Sequence, residues 1–313
     1  MPIKVRDFEV RMTRTPLERK QVRRLRYECF VEEEKASCTE EQKQLGEEYD
    51  SYDRFAEYMG VFHGEKLVGT YRIIDRSAAE KMGGFYTETE FDISKIKRVR
   101  GNIAEMSRAA VARDYRDNGL VMRLLWAGLG EYIAKKEVMV LFGVASFLGT
   151  RPVKSAHAIS YLYYHHLAPQ PLRATVESGK MADGVNPKQT RMNILPRAFV
   201  DEKDAFAEMP PLVKGYLRLG AKFGKGVFID APFNCHDVFV TVETRKISAS
   251  YQKHFLGSEN ALNHLKVKDD IVKAIGKIML FPVTGPFKAV QTFVQSLLRD
   301  SAADVEYIEE KYE

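Results

Sequence analysis

Two charged side chains stand in a stretch that otherwise reads as core. Residues 102–111 run Asn-Ile-Ala-Glu-Met-Ser-Arg-Ala-Ala-Val, with the length and apolar content of a buried strand, yet they hold Glu105 and Arg108. A core excludes such charges unless they are paired or take part in chemistry. Just downstream, Arg116-Asp117-Asn118-Gly119-Leu120-Val121 sets a turn-forming Asn-Gly at the start of a helix. Backbone N–H groups and the positive end of the helix dipole at such a turn are suited to holding a phosphate. The chemistry on offer is therefore a buried carboxylate and guanidinium next to an anion site. The plainer alternatives are a structural ion pair and an ordinary helix start.

The elements that must position these groups follow from patterning. Phe8, Val10 and Met12 alternate with polar residues and predict a half-buried strand. Thr15-Pro16-Leu17-Glu18 opens a helix with a capping box, and this helix is expected to run past Phe30 toward Glu34. The polar residues 40–44 have the composition of a lid or connecting loop, which Asp50 and Asp53 end. Residues 55–62 and 67–74 predict a hairpin across His63-Gly64-Glu65-Lys66, with Arg72 in its second strand. A loop through Gly83-Gly84 leads to the charged strand, then to a helix over 118–136, a central strand over 138–148 and an amphipathic helix over 152–167. After a loop region with one strand near Thr190, Pro210-Pro211-Leu212 starts a helix reaching about Lys222. Short strands over 227–230 and 237–242 and a helix over 247–255 complete a domain spanning 1–255. Residues 270–279 and 286–298 are amphipathic segments of a helical tail, 256–313.

Composition bounds the class. With 313 residues, 45% apolar and 29% charged, the chain can bury a sizeable core. No signal-like N-terminus is evident, and no apolar run approaches the roughly 18–20 residues that span a bilayer, so a cytoplasmic location is expected. Cys29, Cys38 and Cys235 are odd in number and lack a CxxC, which predicts reduced thiols and no metal site. The net charge of +5 is mild, but Lys95, Lys97, Arg98 and Arg100 precede the charged strand, and Arg116 and Arg123 follow it. That basic rim suits an acidic partner or a phosphate; nothing points to nucleic acid.

Strand, charged pair, anion-binding turn and helix together resemble the acyl-thioester site of the N-acetyltransferase superfamily abbreviated GNAT. Arg26-Tyr27-Glu28-Cys29-Phe30, Asp50-Ser51-Tyr52-Asp53, Val68-Gly69-Thr70-Tyr71-Arg72 and Glu105-Met106-Ser107-Arg108 resemble the signature of acyl-homoserine-lactone synthases. Closer still is the resemblance to the bacterial ornithine-acyl-carrier-protein N-acyltransferases, often called haemolysin-like. Phe142-Gly143-Val144-Ala145-Ser146-Phe147-Leu148-Gly149-Thr150 and Tyr163-Tyr164-His165-His166-Leu167-Ala168-Pro169 carry it, with the blocks at 210–221 and 229–240. It covers about residues 8 to 255 and leaves the tail outside.

The resemblance implies an α/β fold, a mixed and mostly antiparallel sheet flanked by helices. It implies transfer of a 3-hydroxylated acyl chain from acyl carrier protein to the α-amine of ornithine, giving lyso-ornithine lipid. The phosphopantetheine of the carrier serves as donor arm, with no cofactor bound. An amine attacks a thioester only when neutral, so a carboxylate must take its proton, and Glu105 is the candidate base. Arg108, three residues on, falls on the opposite face of a regular strand, so a bulge or a pairing role has to be allowed. Arg72 is the candidate for the substrate carboxylate, and Asp50 and Asp53 for a cationic side chain. Arg116, Asn118, Gly119, Leu120 and Val121 are the donor-phosphate candidates. Val121 departs from the superfamily pattern Arg-x-x-Gly-x-Gly/Ala, and its bulk is expected to suit a single phosphodiester better than a diphosphate. The alternatives are another amino acid as acceptor, a homoserine-lactone-type synthase, or a non-catalytic membrane-binding protein. The tail is read as either a peripheral contact with the inner membrane face or a protein-packing stripe.

Overall fold

The first helix begins as its sequence dictates. The Thr15 hydroxyl accepts the Glu18 N–H at 3.1 Å, the Glu18 carboxylate accepts the Thr15 N–H at 3.1 Å, and Pro16 fills the first turn. The computed structural model describes residues 2–117, 119–176 and 188–247. In chain order its elements are β1 (Ile3–Val5), β2 (Phe8–Met12), α1 (Pro16–Arg26), α2 (Glu40–Leu45), β3 (Glu57–His63), β4 (Lys66–Asp75), α3 (Arg76–Met82), β5 (Phe91–Asp92) and α4 (Ser94–Lys97). They continue with β6 (Asn102–Val111), α5 (Leu120–Lys136), β7 (Val138–Leu148), α6 (Ala156–His166), β8 (Thr175–Val176), β9 (Gln189–Thr190), α7 (Glu202–Glu208), α8 (Pro211–Arg218), β10 (Lys222–Asp230) and β11 (Cys235–Glu243).

The strands form one sheet in the order β1-β2-β3-β4-β6-β7-β11-β10-β8-β5, with β9 added against β10. Its pairings are antiparallel except β6 with β7 and β8 with β10. The α/β fold with a mixed, mostly antiparallel sheet is as expected. α5, the crossover between the parallel strands β6 and β7, lies against β2, β3 and β4 so closely that two strand-facing positions tolerate only glycine. A Cβ at Gly69 would sit 2.2 Å from Val121 Cγ1, and one at Gly128 would sit 2.6 Å from Met59 Sδ. Val10, Met59, Val61, Leu124 and Leu125 fill this layer. The opposite face of the sheet carries the polar site.

Several expectations change. The stretch 40–44 is not a loop: Thr39 and Gln42 close a second capping box and start α2. The first helical stretch does run past Phe30 to Glu33 but changes type on the way, α1 ending at Arg26 and the chain continuing as a π-helix over Tyr27–Glu33. α8 stops at Arg218, because Lys222 already begins β10, which is longer than the strand expected from 227. β1, α3 and α7 were not anticipated. The helix expected over 247–255 falls, apart from Ile247, outside the described residues, as does the tail 256–313. No helix among the described residues is long and apolar enough to cross a membrane.

Candidate active site

The site grows from a parting of strands. β6 and β7 pair only from Asn102 with Val138 to Met106 with Gly143. Beyond that point β6 stays with β4 to Val111, while β7 stays with β11 to Leu148. The facing backbones of the two strands therefore diverge with no ladder between them. Gly143 sets the closest approach, since a Cβ there would lie 2.2 Å from the Met106 carbonyl oxygen. Glu105 stands at this junction, opposite Phe142, on the face turned away from α5.

Glu105 is fully buried. Its Oε2 accepts the Thr87 N–H at 3.0 Å, and its Oε1 has no hydrogen-bond partner among the described residues. Burial raises its pKa above the ordinary glutamate value; the Thr87 N–H and the Arg72 charge offset only part of this. A buried carboxylate with one satisfied and one open oxygen is poised to exchange a proton.

Beside it three guanidiniums meet three carboxylates. Arg72, also fully buried, donates from Nη1 to Asp50 Oδ1 and Oδ2 at 2.6 and 2.7 Å and to Asp53 Oδ1 at 3.1 Å, and from Nε to Ser107 Oγ at 3.0 Å. Arg26 donates from Nη1 to both Asp53 oxygens at 2.9 and 3.1 Å, and also pairs with Glu48. Arg108 Nη2 donates to Asp50 Oδ2 at 3.2 Å, and its Nε lies 3.5 Å from Glu48 Oε1. Although burial pushes the Asp53 carboxyl up, Arg26 and Arg72 hold it down at about 2. The set is neutral in sum, which is what allows six ionised groups to stay out of water. Arg26 Nη2, Arg72 Nη2 and Arg108 Nε have no hydrogen-bond partner among the described residues, but Arg26 Nη2 and Arg108 Nε still face Glu48, which leaves Arg72 Nη2 as the donor that meets no carboxylate there.

The register explains how Arg108 joins. Thr70 pairs with Ala110 but Arg72 with Ser107, so β6 carries one extra residue, and Arg108 absorbs it at φ +53°. This bulge turns Arg108 onto the face of Ser107 and Glu105, with its guanidinium 4.5 Å from the Tyr86 ring centroid and 4.3 Å from that of Phe233. Asp50 and Asp53 are committed to guanidiniums, so the structure gives a physical reason against the expectation that they meet a cationic side chain.

At the start of α5, Gly119 adopts φ +63° and the helix begins at Leu120. Arg116 turns away from it, donating to Glu33 at 2.6 Å and to the Val111 carbonyl at 2.8 Å. Val121 packs inward against Gly69, so its side chain does not line the turn, and its bulk does not set the room for a phosphate. Asn118 lies outside the described residues.

A family profile described as an acetyltransferase (GNAT) domain matches residues 25–127. The L-ornithine N(alpha)-acyltransferase of Rhodobacter capsulatus is 31% identical over 256 residues, covering 80% of this chain and 95% of that protein. The chain belongs to the L-ornithine N(alpha)-acyltransferase family. Relatives of the same name from Rhizobium meliloti and Brucella abortus are each 32% identical, over 80% and 82% of this chain and 85% and 92% of their own.

In this acyltransferase the GNAT match takes in Arg26, Glu48, Asp50, Asp53, Arg72, Glu105 and Arg108. Of the residues picked out by type and spacing, Asp50, Asp53, Arg72, Glu105 and Arg108 come together, while Arg116 stands apart in its own ion pair. Arg26 and Glu48 were not singled out as site residues. A signal for Arg26 existed: Val22, Leu25 and Cys29 share its helical stripe and are all buried, which puts an arginine at a core position. Glu48 sits in a polar segment and gives no such signal.

Proposed function

We propose that this chain moves a long, 3-hydroxylated acyl group from the phosphopantetheine arm of acyl carrier protein to the α-amine of ornithine, giving lyso-ornithine lipid. The observation that carries the reading is a complementary pair of unsatisfied buried atoms beside the β6–β7 opening, the acceptor Glu105 Oε1 and the donor Arg72 Nη2. An α-amino acid offers the reverse pair, an ammonium and a carboxylate. Glu105 takes the ammonium proton, and its raised pKa narrows the gap between base and amine. The neutral nitrogen attacks the thioester carbon while backbone N–H groups in the opening meet the oxyanion. Collapse breaks the C–S bond, the second proton lost by nitrogen goes to the sulfur so that the arm leaves as a thiol, and Glu105 returns the first to solvent.

The start of α5 supports the donor half of the reading, because the positive end of the dipole of this 17-residue helix, entered through Gly119 at φ +63°, suits the phosphodiester of the arm. Lys95, Lys97, Arg98 and Arg100 are exposed near the charged strand and suit an acidic carrier. The amphipathic segments 270–279 and 286–298, with Lys273, Lys277 and Lys288, favour a reversible contact of the tail with an anionic bilayer at the inner membrane face, where a lipid product is delivered.

The test is acyl transfer by purified protein with 3-hydroxyacyl carrier protein and ornithine, followed by mass spectrometry. Glu105→Gln is expected to lose about 10² to 10⁴ in rate, and the wild-type acid limb of kcat/KM should have its midpoint above the ordinary glutamate value. Near-normal turnover in Glu105→Gln removes Glu105 as the base; absence of N-acylornithine with the wild type sinks the assignment.

A further inference from the structure

Asp50 and Asp53 are occupied by arginines, so an acceptor carrying a second ammonium has to be met elsewhere. A second group of acids lies on the same face of the sheet. Asp230 ends β10, and Cys235 and Asp237 open β11; one ligand atom from each lies within 4.8 Å of the others, and all three residues are buried. Their facing follows from the ladders. Glu105 pairs with Phe142, Ser146 lies four residues further along β7, and Ser146 pairs with Asp237, so alternation puts Glu105, Ser146 and Asp237 on one side.

Glu90 adds an independent observation. It reaches the group from another part of the chain, just before β5, and is only 2% exposed. Its Oε2 has no hydrogen-bond partner among the described residues, and the charges acting on it most strongly are those of Asp237 and Asp230. Among the described residues none of Glu90, Asp230 and Asp237 has a basic group within 4.0 Å. The contrast with the arginine network is sharp: there every carboxylate meets a guanidinium within ion-pair distance, whereas among the described residues these three feel basic groups only at longer range, Arg108 for all three and Lys188 for Asp230. Burial pushes Asp237 up to about 6 and raises Glu90 and Asp230, the expected response of acids waiting for a positive charge.

We propose that Glu90, Asp230 and Asp237 form the subsite for the side-chain ammonium of a diamino-acid acceptor, and so determine which amino acid is acylated. This rests on the reading of the chain as an ornithine acyltransferase. The 3-10 turn Tyr86–Thr89 ties the subsite to the base, since Thr87 donates to Glu105 and Glu90 directly follows the turn. Three residues of such a turn span about 6 Å, comparable with the reach of a three-methylene side chain. Solvent reaches the neighbourhood along β7: Ser146, opposite Asp237, is exposed, and Leu148, opposite Cys235, is 65% exposed. A divalent metal fits less well, because the Arg108 guanidinium acts on Glu90, Asp230 and Asp237 alike and would repel a dication more than a single ammonium.

The experiment compares ornithine with norvaline, the same carbon chain without the terminal amine, using one acyl carrier protein donor. The wild type should prefer ornithine by at least tenfold in kcat/KM, and Asp237→Asn and Glu90→Gln should each cut that preference at least tenfold, mainly through the KM for ornithine. Equal use of both acceptors by the wild type overturns the subsite whether or not the variants fold. An unchanged preference in folded variants does the same while leaving ornithine acylation intact. Calorimetric binding of Mn²⁺ or Zn²⁺ that is lost in Asp237→Asn, with the preference intact, makes the group a metal site instead. A wild type that acylates neither amino acid overturns the functional reading together with the subsite.

Discussion

Asp53→Asn isolates the neutral network from the rest of the fold. Asp53 is 13% exposed in its side chain and accepts from Arg26, Arg72 and the Tyr58 hydroxyl. Its carboxyl is held at about 2 against an ordinary 3.8, and a displacement of that size corresponds to about 2 kcal/mol of native-state stability. The folded pKa is depressed, so this contribution is complete above the unfolded value and drains away as the pH falls through 3.8 toward 2. About half remains near pH 3. The amide cannot carry the charge and leaves two buried guanidiniums short of a partner, so the deficit at pH 7 should lie between that figure and the roughly 3–5 kcal/mol typical of a broken buried pair. Urea unfolding followed by circular dichroism at pH 7, 5 and 3 measures it. The expected pattern is a gap of about 2–5 kcal/mol at pH 7 that narrows at pH 3. A gap below about 1 kcal/mol, or one that ignores pH, refutes the claim that charge complementarity holds Arg72 in place.

Two further outcomes test the frame and the tail. Gly143→Ala drives a Cβ to within 2.2 Å of the Met106 carbonyl oxygen, a backbone atom that cannot swing aside; the melting temperature should fall, in line with about 1–3 kcal/mol of overpacking, and turnover should fall with it because Glu105 adjoins the strained pair. Unchanged stability and turnover would show that the strands separate there at no cost. Truncation after Phe255 should leave a folded enzyme, active on soluble substrates, that no longer co-sediments with anionic liposomes; aggregation of the truncated protein, or full-length protein that never sediments, removes the membrane contact.

Sequence carried the fold well where local rules govern. The Thr15 capping box, the hairpin around Gly64 and the proline-started helix at Pro211 rest on contacts within a few residues, and the strand 138–148 is legible from its apolar run although its pairing partners are distant in sequence. It carried residue types at the site but not their partners. Arg72 as a carboxylate ligand and Asp50 with Asp53 as cation ligands were each reasonable singly; that the aspartates and the arginine bind one another depends on α1, the 50–54 turn and β4 converging, a long-range fact. Arg108 shows the same limit in reverse. Period-two alternation puts it on the opposite face of a regular strand and so leaves a bulge open, but only the pairing of Thr70 with Ala110 and of Arg72 with Ser107 locates the extra residue that turns it back. Val121 was read by size, whereas its direction, against Gly69, decides what it touches.

The strand pairing that ends at Met106 and Gly143 also divides labour along the chain. On the proposed reading, the groups for the base and for the acceptor's α-carboxylate come from residues before 109, within the span of the GNAT profile, as does Glu90, whereas Asp230 and Asp237 arrive on the β10–β11 hairpin, more than a hundred residues later and on the other bank of the opening. Two of the three acids proposed to choose the acceptor can then change without altering any charged member of the arginine network, although Phe233 of the same hairpin still stacks on Arg108. A chimera that keeps residues 1–200 with Glu90→Gln, and takes its β10–β11 hairpin from a relative acting on a neutral amino acid, should keep the reaction of one parent and take the acceptor of the other.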